Sequence, residues 1–182
     1  MADETAVVAG GCFWCTEAIF LDLVGVKSVE SGYTGGQVAS PSYKQVCGGD
    51  TGHAEAVKIV FESEELSYGD LLDMFFATHD PTQLNRQGND VGTQYRSAIF
   101  PQSPEQDVAA REAIARANET HEGNVVTTIE PAATWYPAED YHQNYWQGEG
   151  QRNPYCLATI PPKLAKLRKS QAKLKSGAQQ PA

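Results

Sequence analysis

Gly10-Gly11-Cys12-Phe13-Trp14-Cys15 stands between the apolar run Ala6 to Ala9 and the stretch Glu17-Ala18-Ile19-Phe20-Leu21. An apolar segment that stops at a Gly pair and passes directly into a helical pattern reads as strand, turn and helix, with Cys12 at the helix start. The first backbone N–H groups of a helix have no partner within it, and the positive end of its dipole lies there. A thiol so placed is expected to ionise below its ordinary pKa. Cys12 is therefore a candidate nucleophile from its position alone. Its CxxC spacing with Cys15 serves redox and metal sites alike, and cysteine is also a common core residue, so reactive, zinc-binding and structural roles all stay open.

Outward from this turn the chain alternates strand and helix patterns. Val26 to Tyr33 reads as a strand that ends in the turn Thr34-Gly35-Gly36. Ser40-Pro41-Ser42-Tyr43 and the Gly-rich Val46 to Gly52 read as irregular loop, suited to the wall of an active site. His53 to Phe61 reads as a strand on which Glu55 shares a face with Val57, Ile59 and Phe61. Either its carboxyl is driven toward the neutral form by these apolar neighbours and can serve as a general acid, or it lies at the strand edge and meets water. Ser67 caps a helix through Met74, Phe75 and Phe76 that Pro81 stops. After the polar loop Gln83 to Gln94 comes a strand, Arg96 to Phe100, and Ser103-Pro104-Glu105-Gln106 opens a helix running to about Glu119. Val125 to Ile129 is the last clear strand, Trp135 to Trp146 is dense in aromatics, and Arg152 to Cys156 reads as an irregular, mobile segment. The alternation predicts an α/β (α+β) two-layer sandwich.

The 182 residues, 41% of them hydrophobic, suffice for one domain over 1–182, with a core at about 5–156 and a basic extension at about 157–182. The short acidic start is unlike a signal peptide and no stretch approaches a membrane span, so a cytoplasmic location is expected. The net charge of −9 argues against nucleic acid as a partner. From Pro161 onward the chain carries Lys163, Lys166, Arg168, Lys169, Lys173 and Lys175 with no acid. Leu164, Leu167 and Leu174 among them predict a short amphipathic helix on the surface, rather than a nucleic-acid or membrane patch. A monomer is expected.

Six stretches, read together, resemble the A-type peptide methionine sulfoxide reductases. They are Gly11-Cys12-Phe13-Trp14, Gly32-Tyr33-Thr34-Gly35-Gly36, Thr51-Gly52-His53-Ala54-Glu55, His79-Asp80-Pro81, Gly88-Asn89-Asp90 with Gly92-Thr93-Gln94-Tyr95-Arg96-Ser97, and Ala138-Glu139-Asp140-Tyr141-His142-Gln143. They follow the family's order and cover roughly Val7 to Cys156. The resemblance implies a ferredoxin-like core with a mixed sheet, and thiol-dependent reduction of methionine S-sulfoxide, free or in proteins, as repair after oxidation. It implies that Cys12 attacks the sulfur while Glu55 acts as the acid, and that Tyr43 and Tyr95 hydrogen-bond the sulfoxide oxygen. Asp90 would lie in the polar rim, and Phe13 and Trp14 would form the apolar wall for the methyl group. Attack would leave a sulfenic acid on Cys12, which a second thiol converts to a disulfide.

Cys156 matches the family's first resolving position and is the preferred second thiol. Cys15 stands where many members carry Gly; one turn from Cys12, it is the alternative. Cys47 is expected to be structural. Thioredoxin or another dithiol would return the disulfide to thiols, with no bound cofactor and no metal. Three other readings stay open: a general thiol–disulfide oxidoreductase using Cys12 and Cys15, a cysteine hydrolase with His53 or His142 as base, and a zinc or redox-sensing module on Cys12, Cys15, Cys47 and His53.

Overall fold

The computed structural model describes residues 3–178; residues 1–2 and 179–182 lie outside the described residues, as do the side chains beyond residue 172, including Lys173, Leu174 and Lys175 of the basic tail. Strand β1 (Asp3–Gly10) buries Ala6, Val7, Val8 and Ala9, so both its faces must be covered. Helix α1 (Phe13–Leu21) leads to β2 (Val26–Thr34), a short α2 (Tyr43–Cys47), β3 (Ala54–Glu62) and α3 (Tyr68–Thr78). A hairpin of β4 (Arg86–Gln87) and β5 (Asp90–Val91) precedes β6 (Ser97–Ile99), α4 (Pro104–Thr120), β7 (Thr128–Ile129), β8 (Tyr136–Pro137) and the long α5 (Pro154–Ala178).

The six-stranded sheet runs β7-β6-β1-β3-β2-β8. Its pairs are antiparallel except β6 with β7, which are parallel, so the sheet is mixed. Within it, β1, α1, β2, β3, α3 and β6 trace a βαββαβ path with strand order β6-β1-β3-β2, the ferredoxin-like core that the resemblance implies. The two-residue period of β3 sorts its side chains as expected. Val57, Ile59 and Phe61 join the main core beneath the helices, while Ala54 and Ala56 join a smaller cluster with Val7, Ala9, Ala98 and Phe100 on the opposite face. Helix α5 packs against α1 and α3, and α4 against α3.

Three expectations change. The loop at Ser42 is instead the start of α2, where the Ser42 hydroxyl accepts from Gln45 N–H (3.2 Å) and Gln45 Oε1 accepts from Ser42 N–H (2.8 Å), a complete capping box. Val125 to Ile129 forms strand only at Thr128–Ile129, and it is not the last, because β8 follows and pairs with β2 at Gly32 and Tyr33. Cys156 does not lie in an irregular segment. Asn153 Oδ1 accepts from Tyr155 N–H (2.9 Å), Pro154 occupies the first helical position, and Cys156 is fully buried in the opening turn of α5. The basic helix thus begins at Pro154 and spans 25 residues rather than a short extension, running through Pro161 and Pro162. As expected it is amphipathic, with Leu164 and Leu167 buried while Lys166, Arg168 and Lys169 face water.

Candidate active site

The turn between β1 and α1 needs a positive φ, and Gly11 supplies it at +98°. It delivers Cys12 as the residue that caps α1, with non-helical backbone (φ −60°, ψ 124°) and only 8% exposure. The next residue's amide, Phe13 N–H, donates to Glu55 Oε1 at 3.1 Å. Glu55 therefore sits against the start of α1, 1% exposed, and its second oxygen, Oε2, is buried with no hydrogen-bond partner. Burial pushes its carboxyl up to about 8, against the Phe13 N–H and with help from the charges of Asp90 and Cys15. At neutral pH it is a protonated acid, not a strand-edge carboxylate in water.

The thiols behave differently from the expectation for a helix start. Cys12 and Cys15 share a hydrogen bond, and that bond, burial and the nearby Glu55 raise Cys12 well above an ordinary thiol. The same bond lowers Cys15 to about 6, assisted against its burial by Lys163, Thr159 and Tyr155. The shared hydrogen bond thus favours thiolate character on Cys15 over Cys12. For Cys156, burial followed by the charge of Cys15 raises the thiol to about 11.

Tyr43 on α2 and Tyr95 in the tight turn Thr93–Tyr95 both feel Glu55 and Cys12, and burial first, then the Glu55 charge, keeps both phenols protonated. Cys47, one helical turn after Tyr43, hydrogen-bonds both tyrosines. The Phe13 ring is fully buried and stacks with Tyr43 at 6.2 Å. Trp14 stacks on Tyr145 at 4.0 Å, and its Nε1–H donates to His142 Nδ1 at 3.0 Å. Asp90 accepts a hydrogen bond from the Tyr155 hydroxyl, which ties the hairpin to α5.

The two histidines proposed as hydrolase bases are engaged elsewhere. His53 accepts from Gly36 N–H at Nδ1 (3.0 Å) and reaches the Val38 carbonyl through Nε2 (2.7 Å). His142 is buried, spends Nδ1 on Trp14, and is held neutral by burial. Among the described residues no group of three or more His, Cys, Asp or Glu could hold a metal ion, so Cys12, Cys15, Cys47 and His53 do not converge as ligands. No helix among them is long and apolar enough to cross a membrane.

Comparison with known proteins agrees with this geometry. The family model for peptide methionine sulfoxide reductase matches residues 4–176. The chain belongs to the peptide methionine sulfoxide reductase family. A peptide methionine sulfoxide reductase MsrA of Erwinia tasmaniensis is 70% identical over 169 residues, covering 93% of this chain and 95% of the relative. The Deinococcus radiodurans protein of the same name is 59% identical over 92% of this chain and 82% of its own. Among solved structures, reduced Mxr1 from Saccharomyces cerevisiae superposes with a TM-score of 0.77 at 34% identity, covering 84% of this chain and 86% of that one. Methionine sulfoxide reductase A of Corynebacterium diphtheriae gives 0.73 at 35% identity over 84% and 76%. This reductase is thus an oxidoreductase that uses thiols to reduce methionine sulfoxide.

The reductase also uses a residue that sequence reasoning passed over. Glu139 accepts from Tyr33 Oη–H (3.0 Å), Tyr43 N–H (3.1 Å) and Tyr141 Oη–H (3.1 Å). Burial pushes its carboxyl up, but these donors and its own backbone outweigh that and hold it below the usual range. Its anion therefore anchors the first turn of α2, which carries Tyr43. The signal was present in Glu139-Asp140-Tyr141-His142-Gln143, a stretch quoted for the family without a role for its acid.

Proposed function

We propose that Cys12 attacks the sulfur of methionine S-sulfoxide, free or in a protein, while Glu55 protonates its oxygen. The observation that carries this is Glu55 Oε2: a buried acid oxygen without a partner, on a carboxyl joined to the residue after Cys12. Sulfoxide sulfur becomes electrophilic as its oxygen takes up a proton, so nucleophile and acid must flank one S–O bond. Tyr43 and Tyr95 supply further donors to that oxygen, and the Phe13 and Trp14 rings receive the methyl group. With oxygen and methyl assigned to different walls, one epimer presents its sulfur to Cys12. Asp90 stands at the rim, where the rest of the substrate leaves.

The sulfoxide is reduced to methionine and the Cys12 thiol becomes a sulfenic acid: the oxygen passes from one sulfur to the other with the proton from Glu55, and the proton that Cys12 gives up restores the Glu55 carboxyl. We assign the next step to Cys15. It hydrogen-bonds Cys12, whereas Cys156, preferred from the resemblance, is fully buried in α5 and feels Cys15. The products are a Cys12–Cys15 disulfide and water. Thioredoxin, or another dithiol, takes up the oxidising equivalents and restores both thiols. A reducing cytoplasm is the setting in which such a cycle repairs oxidised proteins.

The test is methionine S-sulfoxide turnover with thioredoxin recycling in the parent and in Cys12→Ser, Cys15→Ser and Cys156→Ser. Cys12→Ser should be inactive, Cys15→Ser should release about one methionine per enzyme and stop, and Cys156→Ser should keep turning over. Full activity in Cys12→Ser would overturn the reading; a stall in Cys156→Ser with turnover in Cys15→Ser would return the second role to Cys156.

A further inference from the structure

Cys15 belongs to the first turn of α1, yet the groups that meet its sulfur come from the far end of the chain. Tyr155, Thr159 and Lys163 recur every four residues and so share one face of α5. Thr159 Oγ1 lies 3.5 Å from Cys15 Sγ and donates to the Tyr155 carbonyl at 2.7 Å. A hydroxyl in that position serves either state of the sulfur. It accepts from Cys15 S–H while bonded to the carbonyl, or turns its own proton toward a thiolate. One turn further on, half-buried Lys163 brings a positive charge to bear on the same sulfur. Cys15 is only 2% exposed, so water cannot solvate an anion there, and this face of α5 stands in for it.

We propose that Thr159 and Lys163 are positioning residues for the second chemical step, holding the Cys15 sulfur as a thiolate aimed at Cys12. This rests on Cys15 being the resolving thiol. The thiolate attacks the Cys12 sulfur of the sulfenic acid, the S–S bond forms and the S–O bond breaks. The oxygen leaves as hydroxide, which solvent protonates to water. Cys12 sulfur is reduced and Cys15 sulfur oxidised, so no outside reductant enters at this stage. The other groups that bear on Cys15 are Cys12 from α1, Glu55 from β3, and Tyr155 and Cys156 from α5. None of these is a cation, so the charge that balances the thiolate is that of Lys163.

The experiment is a single turnover with stoichiometric methionine sulfoxide and no reductant, quenched over time. Released methionine reports the first step, and mass spectrometry of the alkylated protein reports disulfide formation and its connectivity. Thr159→Val and Lys163→Met should slow disulfide formation about tenfold at pH 6, where loss of these partners depletes the thiolate, and less at pH 9, where a larger share of Cys15 is ionised in every variant. Lys163→Arg keeps the charge and should restore the parent rate, which also controls for a failure of Lys163→Met to fold. A Cys12–Cys156 disulfide in the parent would refute Cys15 as the resolving thiol. A Cys12–Cys15 disulfide formed at parental rates in both variants at pH 6, or slowed equally at both pH values, would refute the role of α5 while leaving that of Cys15 intact.

Discussion

Replacing Glu55 by Gln should make the protein more stable at pH 7 and almost inactive. In the fold its carboxyl titrates near 8 against an ordinary 4.5, so folding makes it take up a proton between those values. Below pH 4.5 the group is neutral whether the chain is folded or not, and it carries no penalty. As pH rises from there the penalty grows by about 1.4 kcal/mol per unit, reaching ~3 kcal/mol at pH 7, and it levels off near ~5 kcal/mol above the folded value. Gln keeps an acceptor for Phe13 N–H and escapes this penalty entirely. For a chain of this size, ~3 kcal/mol corresponds to a rise in Tm of roughly 5–10 °C. Loss of the general acid should cost about 10²–10⁴-fold in turnover. Thermal melts of parent and variant at pH 4.5, 7 and 8.5, beside sulfoxide turnover, decide the matter. An unchanged Tm at pH 7, a gain independent of pH, or retained activity would show that Glu55 is not a buried neutral acid.

Three further outcomes follow from the same geometry. Glu139→Gln removes the anion that Tyr33, Tyr141 and the amide of Tyr43 share, and should raise KM several-fold while costing ~1–3 kcal/mol in denaturant melts; unchanged kinetics would mean that α2 holds Tyr43 without it. Trp14→Phe keeps the ring stack on Tyr145 but leaves His142 Nδ1 buried and unpaired, a loss of ~1–3 kcal/mol by urea unfolding. In Gly36→Ala the new Cβ would stand closer than 3.0 Å to backbone atoms of Thr51 and His53, so expression or Tm should drop by an amount equivalent to at least ~2 kcal/mol; a neutral result would contradict that close approach.

Much of the site could be read from local patterns. The Gly10-Gly11 turn, the strand period around Glu55 and the cap at Ser67 act within a few residues, and each is present as expected. Helix α2 escaped because five residues are too few to show a period, although Ser42 and Gln45 spell its capping box. The start of α5 escaped for a different reason: Arg152 to Cys156 shows no helical period of its own, and burial of Cys156 depends on docking against α1 and α3. The inverted acidity of Cys12 and Cys15 was beyond local reading altogether. Helix-start electrostatics favour Cys12, whereas the hydrogen bond between the two thiols favours its neighbour, with Lys163, Thr159 and Tyr155, far along the chain, in support.

Pro161 and Pro162 have no amide hydrogen, so the carbonyls of Leu157 and Ala158 lack the donors that a continuous helix would offer them. The backbone ladder of α5 is therefore interrupted between its two halves. Downstream, Leu164 and Leu167 are sunk in the core, Arg168 pairs with Asp22 at 3.0 Å and Gln171 accepts from Val24 N–H at 3.1 Å. Upstream, Cys156 and Ile160 are also fully buried, and Tyr155 and Thr159 add hydrogen bonds to Asp90 and Cys15 at the site. With the ladder broken between them, the upstream half is expected to open before the downstream one, at a cost below global unfolding. A protein dithiol as large as thioredoxin can then reach sulfurs that the closed form shelters, and amide exchange faster at 156–160 than at 164–168 is the signature of that uneven fastening.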